Sequence, residues 1–372
     1  METNPLSSSQ APRRWVFVGC RTTLERQARG RAIEVYEWLA DGRWRHAHSV
    51  PSGDNPSYLA LGPGGRHLHA VHGDGSTVSS FAITAQGGLQ PLGTQSTAGD
   101  NPVHLCSSPC GQWMAVANYA SASVALLPVL ADGRLGPVAD LLQLAHRPGP
   151  RHMQQRGAHP HQVVFDPSGR WLLVPDKGCD AIHTLRLDAR RGRLHAVARL
   201  DTAPGSGPRH MVFAPDGRHA WAVLELSSQV LALRFDTDNG HLQPLQSLSS
   251  LPDALEGLGR QASTGAGIVL DPQQGVLHVS NRGHGSVCTF DVQLCTGALG
   301  ARRWIPAGGM VPRFICAAPG AHALLIANED AHTIVQADMG AEPVSISTLA
   351  HTGSPVCAVC AVFNQEPQEA TP

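Results

Sequence analysis

GDNP at 53–56 is followed by SYLALGPGGRHLHAVH at 57–72, and forty-six residues on, GDNP at 99–102 is followed by VHLCSSPCGQWMAVAN at 103–118. Each copy reads as a short apolar run, a turn containing Pro and Gly, and a second apolar run. Four more copies follow: HQVVFDPSGRWLLVPD from His161, RHMVFAPDGRHAWAVL from Arg209, AGIVLDPQQGVLHVSN from Ala266 and RFICAAPGAHALLIAN from Arg313. A seventh first run, VCAVCAVF from Val356, has no second run after it; WVFVGC from Trp15 supplies one. Each unit also carries a third apolar run and a last Gly turn, as in DGRL (132–135), RGRL (191–194), NGHL (239–242) and TGAL (296–299).

Seven units of about 43–58 residues with four short strands each predict an all-β fold, a seven-bladed β-propeller with four antiparallel strands per blade. The N- and C-terminal strands share one blade, which closes the ring and removes its free edge. A length of 372 residues alone would suggest two or three domains; the repeat instead predicts one, over 13–364, with residues 1–12 and 365–372 as mobile tails. Gly 39 and Pro 28 together make about 18% of the chain, an excess that the inter-strand turns absorb.

Net charge is −1 and charged residues make up 15%, which gives no electrostatic basis for nucleic-acid binding. No apolar run reaches the length of a membrane span, and Met1–Arg14 lacks the apolar core of a signal peptide. Nine Cys without framework spacing suit reduced thiols, hence a cytoplasmic location. Cys357 and Cys360 form a CxxC, but residues three apart on a strand face opposite ways and cannot share a metal. No HExxH, paired CxxC or EF-hand loop is present, so neither metal nor cofactor is expected. GLGRQASTGAG (257–267) lacks the spacing of a nucleotide loop, and RHLH (66–69) alternates as a structural strand would.

Function should show where the units differ. The residue six before each inter-strand Pro opens the innermost strand: Ser57, Val103, His161, Arg209, Ala266, Arg313 and, by pattern, Val356. The residues nine and ten after that Pro end the second strand: His72/Gly73, Asn118/Tyr119, Asp176/Lys177, Leu224/Glu225, Asn281/Arg282 and Asn328/Glu329. The chain reverses between these strands, so both sets return to one mouth of the channel. Singly, such charges read as solvated turns or blade-to-blade ion pairs. Together, His161, Arg209, Arg313, Asp176, Lys177, Glu225, Arg282 and Glu329 read as a site for a small anionic ligand.

At these residues the chain resembles the β-propeller lactonase family, which includes propeller-type 6-phosphogluconolactonases and fungal cis,cis-muconate lactonising enzymes. The resemblance runs over about 15–363 and rests on NPVHL and VANYASASV (101–124), HPHQVVFDPSGRWLLVPDKG (159–178), GPRHMVFAPDGRHAWAVLELSS (207–228), VSNRGHGSV (279–287), and VPRF and IANED (311–330). It implies a lactone hydrolase acting on 6-phosphogluconolactone or a related sugar lactone, with His161, Arg209, Glu225 and Arg282 as catalytic residues. Arg313, Lys177, Asp176, Asn118 and Gln155 are the expected substrate contacts, and His161 or Glu225 the general base. The pattern departs at Leu224, where the family carries Asn, at Gly267, where it tends to an acidic residue, and at Gln154, where it has Arg. A muconolactone-type reaction and a non-catalytic binding platform are the alternatives, and the oligomeric state is left open.

Overall fold

The computed structural model describes residues 12–144, 147–151, 153–255 and 263–363. They form seven four-stranded antiparallel sheets with three short 3-10 turns. Blades are numbered in chain order from Pro56, the first starting Pro56–Leu61, His67–His72, Thr77–Ile83 and Leu89–Ser96. Neighbouring blades touch around a closed circuit, and the ring is the expected seven-bladed propeller. The expected tails lie outside the described residues, Pro12 apart, as does most of the 257–267 segment.

The closing blade pairs Pro355–Phe363 with Arg13–Cys20, followed by Ile33–Trp38 and Trp44–Val50. Both faces of each second strand pack on neighbouring blades, so Trp171–Asp176, His219–Leu224 and Ala323–Asn328 are buried throughout. Outermost strands such as Leu89–Ser96 expose most of their residues. This is why the sequence shows apolar runs for inner strands and polar ones for outer strands. Cys357 and Cys360 face opposite sides of their strand, each toward a different apolar cluster.

The last Gly turn of several units also joins the blades. Gly192 (φ +62°) and Gly297 (φ +75°) take left-handed conformations, and a Cβ there would collide with Trp113 and His219 of the preceding blade. Indole N–H groups complete the contact: Trp113 donates to the Ala189 carbonyl at 3.1 Å and Trp221 to that of Gly297 at 2.9 Å. In GDNP, Asn55 and Asn101 are left-handed (φ 44° and 52°), a state Asn tolerates. Their side-chain oxygens accept from the Thr22 and Asp74 amides, pinning the loops of the preceding blade.

Candidate active site at the channel mouth

The inner strands aim residues into the mouth through a repeated backbone irregularity. Pro208 pairs with Leu224 but His210 pairs with Val223, leaving Arg209 as an extra, unpaired residue. The same bulge leaves out Ser57, Val103, Arg313 and Val356. In blade 3 the interruption is wider: Pro160 bridges Asp176, the His161 amide donates to the Pro175 carbonyl at 2.9 Å, and the ladder resumes at Val164–Leu173. A bulge re-aims its extra side chain. Ser57, Val103, His161, Arg209, Arg313 and Val356 accordingly line one cavity of about 20 Å³. A single water molecule fits such a space.

The second-strand ends divide by parity. The ninth residue after the Pro is a structural latch. Asn118, Asn281 and Asn328 donate to the carbonyls of Thr97 (3.1 Å), Ser250 (2.9 Å) and Ala307 (2.8 Å). Asp176, in the same position, accepts from the amides of His159, Gly178 and Cys179 and pairs with His183. Gln155 donates to the Lys177 carbonyl and to Asp180. Asn118, Asp176 and Gln155, the expected substrate contacts, are all buried and hold backbone groups or neighbouring side chains.

The tenth residue carries the charge. Glu225 lies among three cations: Lys177 Nζ at 2.7 Å, Arg209 Nε at 3.0 Å and Arg282 Nη2 at 3.2 Å. The arginines are steadied from behind, Arg209 by the Ala266 carbonyl (2.7 Å) and Arg282 by that of Gly265 (3.1 Å). Burial alone would raise the Glu225 carboxyl, but Arg282, Lys177 and Arg209 outweigh it and keep it ionised far below the usual range. Burial, reinforced by Arg282, pulls Arg209 down to about 9, still charged at neutral pH. His161 is driven well below its ordinary value by burial and then by Arg209, Lys177 and Arg313, so its ring is neutral. Its Nδ1 is buried without a hydrogen-bond partner.

A second cluster abuts the first. Glu329 spans Arg21 and Arg313, each at 3.4 Å, and Arg21 Nη1 lies 3.7 Å from Asp74, which Arg26 also holds. Arg21, Lys177, Arg209, Arg282 and Arg313 thus face Glu225 and Glu329, while Asp74 is matched by Arg26. The surplus is positive, the sign of charge that favours an anion. Beneath the mouth, Tyr58 stacks on His104 (4.0 Å between centroids), and His210 bridges His104 (5.4 Å) to His161 (5.3 Å).

Arg21, Tyr58 and His210 escaped the reading of the sequence. Arg21 follows WVFVGC and holds the tenth position of the closing blade, a register visible once the termini are joined. Tyr58 and His210 follow the bulged residues of their strands. The departures also find places. Leu224 forgoes the latch and packs in the core with Leu173 and Met211. A Cβ on Gly267 would sit 2.8 Å from Ile315 Cγ1, so a longer side chain has no room there. Gln154 is exposed and lies outside the lining.

Ring and mouth together define a propeller with a cationic cluster at one end of its channel. The chain matches the family described as lactonase, 7-bladed beta-propeller, over residues 15–360, and it belongs to that family. It is 29% identical over 221 residues to a 6-phosphogluconolactonase of Bacillus subtilis (strain 168), covering 59% of this chain and 62% of that protein. The chain thus spans less than two thirds of that relative. Among solved structures, a periplasmic gluconolactonase of Pseudomonas aeruginosa is similar at a TM-score of 0.81 and 30% identity, over 94% of this chain and 99% of the other. A Bacteroides fragilis NCTC 9343 protein, solved as a candidate 6-phosphogluconolactonase, matches at 0.83 and 26%, over 96% and 99%. Among the described residues, no helix is long and apolar enough to cross a membrane, and no group of three His, Cys, Asp or Glu could hold a metal ion.

Proposed function

We propose that this protein hydrolyses a small anionic lactone, 6-phosphogluconolactone or a related sugar lactone, to the free acid. The observation that carries this reading is Glu225 fixing Arg209, Arg282 and Lys177 beside a neutral His161. Lactonase relatives, two of them named for gluconolactone substrates, support it.

In this reading the guanidinium groups of Arg209 and Arg282 face the lactone carbonyl and stabilise the oxyanion that forms on it. A water at the mouth gives a proton to His161 Nδ1 as its oxygen bonds to the carbonyl carbon. The ring C–O bond then breaks, and the leaving oxygen takes the proton back from His161, yielding acid and alcohol. Glu225, held ionised by three cations, is a positioning residue and His161 is the base. Lys177 and Arg313 receive the substrate's charged groups.

The test is acid release from 6-phosphogluconolactone and from gluconolactone, measured against spontaneous opening. A rate well above background on either is expected. None on both, with a folded protein, would leave a binding platform instead; a preference for a dicarboxylate lactone would favour the muconolactone-type reading. A cytoplasmic location belongs to the same proposal and is supported by nine cysteines, none of them in a disulfide; recovery from a periplasmic extract would overturn it.

A further inference from the structure

The ring of tenth residues has one gap. Arg21, Tyr119, Lys177, Glu225, Arg282 and Glu329 all bring long side chains to the mouth, whereas blade 1 presents Gly73. Its backbone is outside the left-handed region, so the choice of glycine is not conformational. What the missing side chain leaves open is specific. A Cβ on Gly73 would sit 2.8 Å from Ser57 Oγ and 3.3 Å from Arg21 Nη1. Neither atom has a hydrogen-bond partner, on residues 8% and 5% exposed; Arg21 Nη1 has only the Asp74 carboxylate, 3.7 Å away and engaged by Arg26. Leaving such groups unpaired is costly.

Neighbouring groups make this a place for negative charge. Arg21, Arg26 and Arg313 face only the carboxylates of Glu329 and Asp74, so the cluster has one positive charge to spare. Ser57, Arg21 and Arg313 all line the mouth cavity that also holds His161 and Arg209. On its other side Gly73 borders a groove of about 1020 Å³ over blade 1, which gives an extended ligand room.

We propose that Arg21 Nη1, Ser57 Oγ and Arg313, around the notch left by Gly73, form a separate subsite for the phosphate of the substrate. This deepens the lactonase reading and rests on it: Arg209 and Arg282 take the carbonyl, while the blade 7–blade 1 side takes the phosphate. Selection for a phosphorylated over a plain sugar lactone then resides in a position with no side chain.

Two measurements test it, both on the full chain. The first is the ratio of kcat/KM for 6-phosphogluconolactone to that for gluconolactone, in wild type, Gly73→Ala and Ser57→Ala. Gly73→Ala adds one carbon to the notch without backbone strain, so it folds even if an Arg21 variant does not. The ratio is expected to fall tenfold or more in Gly73→Ala and severalfold in Ser57→Ala; an unchanged ratio in both overturns the subsite. The second, calorimetric titration with inorganic phosphate and with malonate, does not depend on turnover. Phosphate is expected to bind wild type and to bind Gly73→Ala at least tenfold more weakly. Equal phosphate affinity in the two proteins, or binding of malonate alone, overturns the assignment. A wild type that hydrolyses neither lactone yet shows the phosphate difference retains the subsite and removes the lactonase reading.

Discussion

Glu225 shows how a residue's chemistry is set by its neighbours. By type it could be a general base; three cations within 3.2 Å make it an anchor instead. Its removal should cost stability as well as activity. Glu225→Gln leaves Lys177, Arg209 and Arg282 buried without a counter-charge, a loss of about 3–5 kcal/mol. A lower urea midpoint checks this, and an unchanged midpoint would refute it. Buried histidines give the molecule its acid sensitivity. Burial is the first cause in pulling His69 and His278 down to about 4 and His104 to about 3. The unfolded chain binds these protons near pH 6.5, so stability is full above that pH and declines as pH falls. At pH 5 each contributes about 2 kcal/mol of loss. Denaturant titrations at pH 7 and pH 5 should show the drop; equal stability at both would contradict it.

Among the elements, the inner strand and the Gly turn carry the design. Their existence was legible in the sequence, because Pro, Gly and apolar runs recur in register. The bulge was not: nothing in PRHMVF announces that Arg209 is left out of the ladder, and only pairing against His219–Leu224 reveals it. For the same reason the ninth and tenth positions were pooled, although strand alternation sends one into a latch and the other into the mouth. His161, Arg209, Glu225 and Arg282 stand at bulge or tenth positions, and the fold brings them together with Lys177 at one end of the channel. Asn118 and Asp176 stand at the ninth, where their side chains hold backbone groups. The turn glycines offer a direct check. Gly192→Ala meets both a left-handed φ and the Trp113 ring, and should cost about 2 kcal/mol or more, a clear fall in Tm. A Tm equal to wild type would mean that the turn and the indole can separate.

In the molecule as a whole, closure ties the site to the chain's two ends. The strand Pro355–Phe363 covers the edge of Arg13–Cys20 and brings Val356 to the mouth, and Arg21 follows the strand it covers. This is also why Arg21 was hard to read: its unit is split between the termini. Removing residues 355–372 would expose an inner edge and two apolar clusters. Such a truncation should lose cooperative unfolding, monitored by circular dichroism; a cooperative transition at the wild-type temperature would show that the ring does not depend on this closure. The central claim is that the ring gathers its cations to hydrolyse a lactone. The most direct measurement is kcat/KM for 6-phosphogluconolactone in wild type and Arg209→Ala, with the fold of both checked. Wild type should exceed spontaneous opening by orders of magnitude, and the variant should fall by about 10²–10³. A variant as fast as wild type, or a wild type no faster than the background reaction, would contradict the account.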